Sequence, residues 1–166
     1  MGKRRPLVIR ALDLTAWASE NVSAVFLGIM TVVITWQVFS RKVLSAAPYW
    51  SEELAIILMV WFGLLGSAVG VRKGTHIALE FFMSLFPPRV RQVNQIVLDL
   101  LVLAFSVFLM VEGVELVRVS RTITMPALKI SQSLVYMVIP VIGVLICLYT
   151  LESLARDILA LRKEAK

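Results

Sequence analysis

The chain has 166 residues, of which 59% are hydrophobic, and it carries a formal charge of +6 at pH 7. A soluble domain of this length could not bury so much apolar surface, so the composition excludes an ordinary globular protein. The basic residues flank apolar segments and form no continuous stripe, which argues against nucleic-acid binding. The composition therefore predicts an integral membrane protein that lies in a lipid bilayer.

Four segments with almost no charge predict transmembrane helices, because crossing the hydrocarbon core takes about 20 apolar helical residues. The segments are continuously apolar and do not alternate, which argues against the strands of a β-barrel. The predicted spans cover residues 22–40, 53–71, 90–116 and 130–151. The predicted fold class is therefore all-α, with residues 1–166 forming a single membrane domain of four transmembrane helices.

Residues 6–20 precede the first span and predict an amphipathic helix on the membrane surface. Leu7, Ala11 and Leu14 recur at helical spacing, with charged residues on the other faces. The alternative is a signal peptide cleaved near residues 45–47. The first span is longer than the roughly 7–15 apolar residues of such a peptide, which favours a retained helix.

The second span opens with a predicted helix cap and continues with small residues. We expect Ser51 to be the N-cap, and Glu52 and Glu53 in the first turn to interact favourably with the helix dipole. Two pairs of small residues, each four positions apart, predict a close approach to another helix. These small residues are Gly63, Gly66, Ser67 and Gly70.

Residues 76–86, between the second and third spans, are too short to cross the membrane and predict a second interfacial helix. In the third span, Asp99 is an intramembrane carboxylate, which costs at least about 2.5 kcal/mol unless it is paired or protonated. We therefore expect Asp99 to face other helices. It shares a polar stripe with Gln92, Gln95 and Ser106. A hydrogen-bonded packing seam is the favoured interpretation of this stripe, and a proton or sodium site is the alternative.

In the fourth span, Pro140 predicts a kink, and Glu152 and Arg156 predict that the helix continues beyond the membrane. The distribution of charge predicts the orientation of the chain. Twelve of the 17 Lys and Arg residues lie in the two tails and the middle connection, and five lie in the other two connections. The positive-inside rule therefore predicts that both termini are cytoplasmic.

The sequence lacks the motifs of an enzyme. It contains no serine elbow, phosphate loop, Cys/His metal cluster or pair of catalytic carboxylates. His76 is the single histidine, which excludes a haem held by two histidines. We therefore predict no catalytic residues, no cofactor and no metal site.

Several motifs in a fixed order resemble the small membrane subunit of TRAP transporters, the tripartite ATP-independent periplasmic uptake systems. The motifs are Trp50-Ser51-Glu52-Glu53-Leu54, then Val71-Arg72-Lys73-Gly74-Thr75-His76-Ile77, Pro87-Pro88-Arg89-Val90-Arg91 and Thr124-Met125-Pro126-Ala127-Leu128-Lys129-Ile130, with Tyr136 and Pro140 in the fourth span. The resemblance extends from about residue 22 to residue 151. Thr75 and Lys129 depart from it, because glycine is common at both positions.

The resemblance implies a non-catalytic subunit of the bacterial inner membrane. In such systems a periplasmic binding protein delivers an organic anion, and a large membrane subunit moves it with a sodium gradient. The implied partners of this chain are that large subunit, which it would brace, and the binding protein. The implied cargo is an organic acid such as sialic acid or a dicarboxylate.

Within that role, we expect the small residues of the second span and the polar stripe of the third to pack helices, in the chain or against the large subunit. Four basic residues on the predicted periplasmic side are candidates for docking of the binding protein: Arg41, Lys42, Arg118 and Arg121. The alternative is that they are ordinary anchors at the membrane interface. A self-assembling channel or small multidrug carrier that uses Asp99 is the alternative. It would need a carboxylate in the first span or a polar lumen, and that span offers only hydroxyls and Gln37.

Overall fold

The computed structural model describes residues 7–46, 48–73 and 88–164, and within them the chain is almost entirely helical. The helices are α1 (Leu7–Val43), α2 (Tyr49–Lys73), α3 (Pro88–Val119), the short α4 (Ser133–Tyr136) and α5 (Val138–Glu164), with a 3-10 turn at Ser120–Thr122. Four helical stretches in these ranges are long and apolar enough to cross a membrane. The predicted all-α membrane fold with four spans is confirmed.

The first helix has different bounds from those predicted. α1 is continuous from Leu7 to Val43, whereas the sequence pattern separates a helix at 6–20 from a span at 22–40. The segment contains no proline and only Gly28 as glycine, so nothing interrupts the backbone hydrogen bonds near residue 21. The position of its first turns at the membrane surface stays a prediction. The other predicted interfacial helix, 76–86, lies outside the described residues.

The long helices lie side by side in one layer, in the order α1, α2, α5, α3. α1 packs against α2, α2 against α5, and α5 against α3, whereas the described parts of α1 and α3 share no substantial contact. The core lies where α1 and α5 pack against α2 and includes Leu12, Ala68 and Val138. Because a single layer covers each helix on two sides at most, large apolar side chains such as Val32 and Phe108 remain exposed.

α3 and α5 approach each other closely at two glycines to which the sequence pattern gave no contact. A methyl group on Gly113 would lie 2.9 Å from Pro140 N and Cδ, and one on Gly143 would lie 3.0 Å from Met110 N and 3.1 Å from Ser106 O. These distances are shorter than the optimal carbon contact of about 3.5–4.0 Å. Because Gly113 and Gly143 have no side chain, the backbone of each helix can pack directly against the other helix at these two positions.

The fourth span is interrupted where a kink was predicted to bend it. α4 ends at Tyr136 and α5 begins at Val138, so Pro140 lies in the first turn of α5. A proline is tolerated there because the first backbone N–H groups of a helix have no acceptor within it. The helical part of this span begins at Ser133, three residues after the predicted start, and α5 continues to Glu164 as expected.

Candidate functional site

At one end of the layer, three charged side chains join three helices. Arg72 of α2 donates through Nη1 to Glu152 Oε2 of α5 at 2.7 Å and through Nη2 to Asp13 Oδ1 of α1 at 2.5 Å. The side chains of Arg72 and Glu152 are only 12% and 13% exposed. We call Asp13, Arg72 and Glu152 the charged clasp, because its bonds join three helices.

Aromatic and further charged contacts surround the charged clasp. The Arg72 guanidinium lies 5.0 Å from the centre of the Tyr149 ring, and the Tyr149 hydroxyl is 3.1 Å from Thr15 Oγ1 of α1. Arg156 donates to Glu152 at 2.7 Å, as expected for residues four apart on a helix. These contacts place the start of α1, the end of α2 and the second half of α5 at the same end of the layer.

The sequence pattern did not reveal the charged clasp. Arg72 and Lys73 were interpreted as topology signals and as part of a family motif, and neither was given a partner, although Lys73 Nζ also lies 2.7 Å from Glu20 Oε1. The available signal was the presence of acidic residues near the ends of the first and fourth apolar segments. The positions of acidic and basic residues in the sequence could not show that Arg72 pairs with Asp13 and Glu152, which lie 59 and 80 positions away.

At the opposite end, residues 123–132 form a hairpin loop closed by its own backbone bonds. Met125 N donates to Ile130 O, and Gln132 N donates to Ile123 O, both at 2.9 Å. Lys129 has a φ of 55°, a left-handed conformation that glycine adopts most easily. The backbone geometry at Lys129 therefore favours the glycine that the resemblance implies for this position.

Glu53 fastens this hairpin loop to α2. Its carboxylate accepts the Ala127 N–H at 3.0 and 3.1 Å and the Leu128 N–H at 2.8 Å. The predicted helix cap at residues 51–53 is therefore corrected. α2 begins at Tyr49, so Ser51 lies inside the helix, where its hydroxyl donates to Pro48 O at 2.7 Å and does not accept from a backbone amide. Glu52 stays in the first turn and is exposed.

A groove of about 670 Å³ lies between the start of α2 and the hairpin loop. It is lined by Pro48, Tyr49, Trp50, Glu53, Pro126 and Ala127. Tyr49 is 89% exposed, so one side of the groove presents an aromatic ring to its surroundings. One side of the groove is therefore formed by aromatic residues of α2, and the other side by Pro126 and Ala127 of the hairpin loop.

The four basic residues predicted for docking lie at this same end of the layer. Arg41 and Lys42 occupy the last turn of α1, and Arg118 the last turn of α3. Arg121 follows in the 3-10 turn. All four are exposed, and Arg118 lies 3.6 Å from Glu115. The end that carries the groove is therefore also rich in exposed cations.

Three of the small residues of α2, Gly63, Gly66 and Ser67, make no close contact with another helix of the described chain. Gly63 and Gly66 are exposed, and a methyl group on either would have no neighbouring atom within 4 Å. Ser67 is also exposed and donates to Gly63 O at 2.8 Å along its own helix. Gly70 is partly buried. The small face of α2, residues 63, 66 and 67, is therefore open to its surroundings.

The polar stripe of α3 is only partly covered. Asp99 is 8% exposed, and Gln95 Nε2 lies 3.4 Å from its Oδ1. Ser106 is fully buried and donates to Leu103 O at 2.7 Å. Gln95 is exposed, because the layer covers one side of α3 only, and the side chain of Gln92 lies outside the described residues. Asp99 and Ser106 thus face neighbouring helices, as expected, and Gln95 does not.

The described residues contain no group of three or more His, Cys, Asp or Glu side chains that could hold a metal ion. Their arrangement offers helix contacts, one charged clasp and one groove with exposed cations. This geometry suits binding to another protein.

The comparison with known proteins identifies the family. The family profile described as tripartite ATP-independent periplasmic transporters, DctQ component, matches residues 30–160. The sialic acid TRAP transporter small permease protein SiaQ of Vibrio cholerae is 27% identical over 135 residues, which cover 81% of this chain and 78% of that protein.

Two longer relatives match as well. The sialic acid TRAP transporter permease protein SiaT of Haemophilus influenzae is 34% identical over 122 residues, 72% of this chain but only 19% of that protein. The isethionate TRAP transporter permease protein DctMQ of Oleidesulfovibrio alaskensis is 25% identical over 154 residues, 86% of this chain and 24% of that protein. These relatives are transporter permeases and not enzymes. The profile match over most of the chain, together with its four spans, shows that this multi-pass membrane protein belongs to the DctQ family of small TRAP transporter permease components.

Proposed function

We propose that this chain is the small membrane subunit of a sodium-driven TRAP transporter in the bacterial inner membrane. In this role it braces a large transport subunit and helps a periplasmic substrate-binding protein to dock. The observation that carries the proposal is the match to about a fifth and a quarter of two longer permease proteins. A sequence that recurs as one part of a longer permease is expected to work beside the remainder of that permease when it is a separate chain.

The open surfaces of the layer support a role beside a larger protein. Membrane helices associate closely where small residues allow their backbones to approach. Gly63 and Gly66 offer such a face, and no part of the described chain covers it. We therefore assign the small face of α2 to contact with the large subunit.

The cargo is proposed to be an organic acid. The three relatives described above are named for sialic acid or for isethionate, so members of the family handle anions of different shape. A dicarboxylate is equally compatible with this chain. In the proposed complex, recognition of the anion belongs to the binding protein and the large subunit.

The test is to express the tagged chain with its neighbouring genes and to purify it in mild detergent. We expect a much larger polytopic membrane protein to co-purify in stoichiometric amount. Reconstitution of that complex should give uptake of an organic acid that requires both a sodium gradient and a periplasmic binding protein. A homo-oligomer that transports without any other protein would contradict the proposal and favour the alternative centred on Asp99.

A further inference from the structure

We infer that Glu53 is a positioning residue for docking. It holds the hairpin loop against the start of α2, so that the loop and the groove together form one docking surface for an acidic face of the periplasmic binding protein. This inference rests on the proposed function and on the predicted cytoplasmic termini, which together put the groove end of the layer in the periplasm.

The contacts of Glu53 are long-range and specific. The bonds from Ala127 N and Leu128 N join residues 74 and 75 positions apart. The internal bonds of the hairpin loop use other amides, such as Met125 N and Lys129 N. Backbone N–H groups at a turn need an acceptor, and a carboxylate accepts more strongly than a neutral oxygen. Glu53 supplies that acceptor from another element of the fold.

The groove depends on this attachment. Glu53 lines the groove and bonds to Ala127 on the opposite wall, so one side chain connects the two walls. The wall on α2 carries Tyr49 and Trp50, which are 89% and 42% exposed. Tyrosine and tryptophan are enriched at the centre of protein interfaces, because they bury a large area with little loss of side-chain freedom. Without Glu53 the hairpin loop would lose its bonds to that wall.

The exposed basic residues at the groove end of the layer favour an acidic partner surface. Exposed basic side chains lie at the ends of α1 and α3 and on the hairpin loop: Arg41, Lys42, Arg121 and Lys129. Complementary charge across an interface raises the rate of encounter and fixes the orientation of the partners. An acidic face of the binding protein is therefore the expected occupant.

The first experiment measures hydrogen exchange of single amides in the complete complex, in lipid nanodiscs, with Glu53→Ala, Glu53→Gln and Glu52→Ala. Glu52 is the matched control, because it lies in the same turn and its side chain is exposed. In Glu53→Ala the Ala127 and Leu128 amides should exchange at least about tenfold faster. Glu53→Gln keeps one acceptor oxygen and should lie between, and Glu52→Ala should match the wild type. Unchanged protection in Glu53→Ala would overturn the inference.

The second experiment measures uptake into proteoliposomes while the concentration of the binding protein encoded with the chain is varied. Glu53→Ala should raise the half-maximal concentration of binding protein by about tenfold and leave the maximal rate within about twofold of the wild type. Faster exchange with unchanged dependence on binding protein would overturn the docking role. Wild-type uptake that needs no binding protein would overturn the proposed function itself, whereas the exchange result would still decide whether Glu53 holds the loop.

Discussion

The contact between α3 and α5 predicts a large effect from a very small substitution. Gly143→Ala adds one methyl group, which would meet Met110 N at 3.0 Å and Ser106 O at 3.1 Å. Both are backbone atoms of α3, so the overlap can be relieved only by moving one helix. Overpacking of a tightly packed site costs about 1–3 kcal/mol. The better helix propensity of alanine offsets up to about 1 kcal/mol of this cost.

We therefore expect Gly143→Ala to lower the free energy of unfolding by about 1–2 kcal/mol. Gly66→Ala is the matched control, since the same methyl group in the middle of α2 would have no neighbour within 4 Å. In the isolated chain it should leave stability unchanged or raise it by up to about 1 kcal/mol.

The assay is unfolding of the purified chain by SDS titration in mixed micelles. The four tryptophans provide the fluorescence signal. The two variants differ in neither charge nor added volume, so a difference between them reports only the space around each glycine. Equal stability of Gly143→Ala and Gly66→Ala would refute the close approach of α3 and α5.

Three further predictions concern single side chains and use the same unfolding assay. Arg72→Met should lower the free energy of unfolding by about 1–3 kcal/mol, because two acceptors of the charged clasp lose their donor. Lys73→Met should lower it by less than about 1 kcal/mol, since the ion pair of Lys73 is exposed. Equal losses in the two variants would contradict this reasoning. Lys129→Gly should preserve the free energy of unfolding or raise it by up to about 1 kcal/mol, because glycine adopts the left-handed backbone without strain. Lys129→Ala should give no such gain. A clear loss of stability in the glycine variant would show that the backbone at Lys129 is not strained. Asp99→Asn should cost less than about 1 kcal/mol and Asp99→Leu about 1–3 kcal/mol, because only asparagine can still accept from Gln95. In the reconstituted complex Asp99→Asn should keep sodium-dependent uptake, and its complete loss would favour an ion site.

Much of the fold followed from local sequence signals. Four apolar segments with almost no charge required four helices, because lipid satisfies no backbone hydrogen bonds. The pair formed by Glu152 and Arg156 followed from helical spacing alone. The helix boundaries were less accurate: α1 continues through residue 21, where neither proline nor glycine interrupts it, and the fourth span is interrupted at Met137.

Residue types gave Ser51 the wrong role, and they could not show which partner the small residues of α2 meet. The docking role of the basic residues stays a prediction. Ser51 is a good N-cap by residue type, yet α2 begins two residues earlier. The motif of Gly66 and Gly70 suggested a close helix contact, whereas a methyl group on Gly63 or Gly66 would meet no atom of the described residues within 4 Å. A motif shows that a backbone can approach another helix, and it does not show which helix is present.

The sequence by itself determined that this protein crosses a membrane four times, that it lacks catalytic chemistry and that it resembles a small TRAP subunit. These conclusions depend on hydrophobicity and on motifs, both of which are local properties of the chain. Only the tertiary structure decided that the helices form a single layer, that Arg72 joins Asp13 to Glu152, and that Glu53 fastens the hairpin loop. Those features join residues more than 50 positions apart. Such pairs are selected by the way in which whole helices pack, because no local preference of the backbone or the side chains connects them.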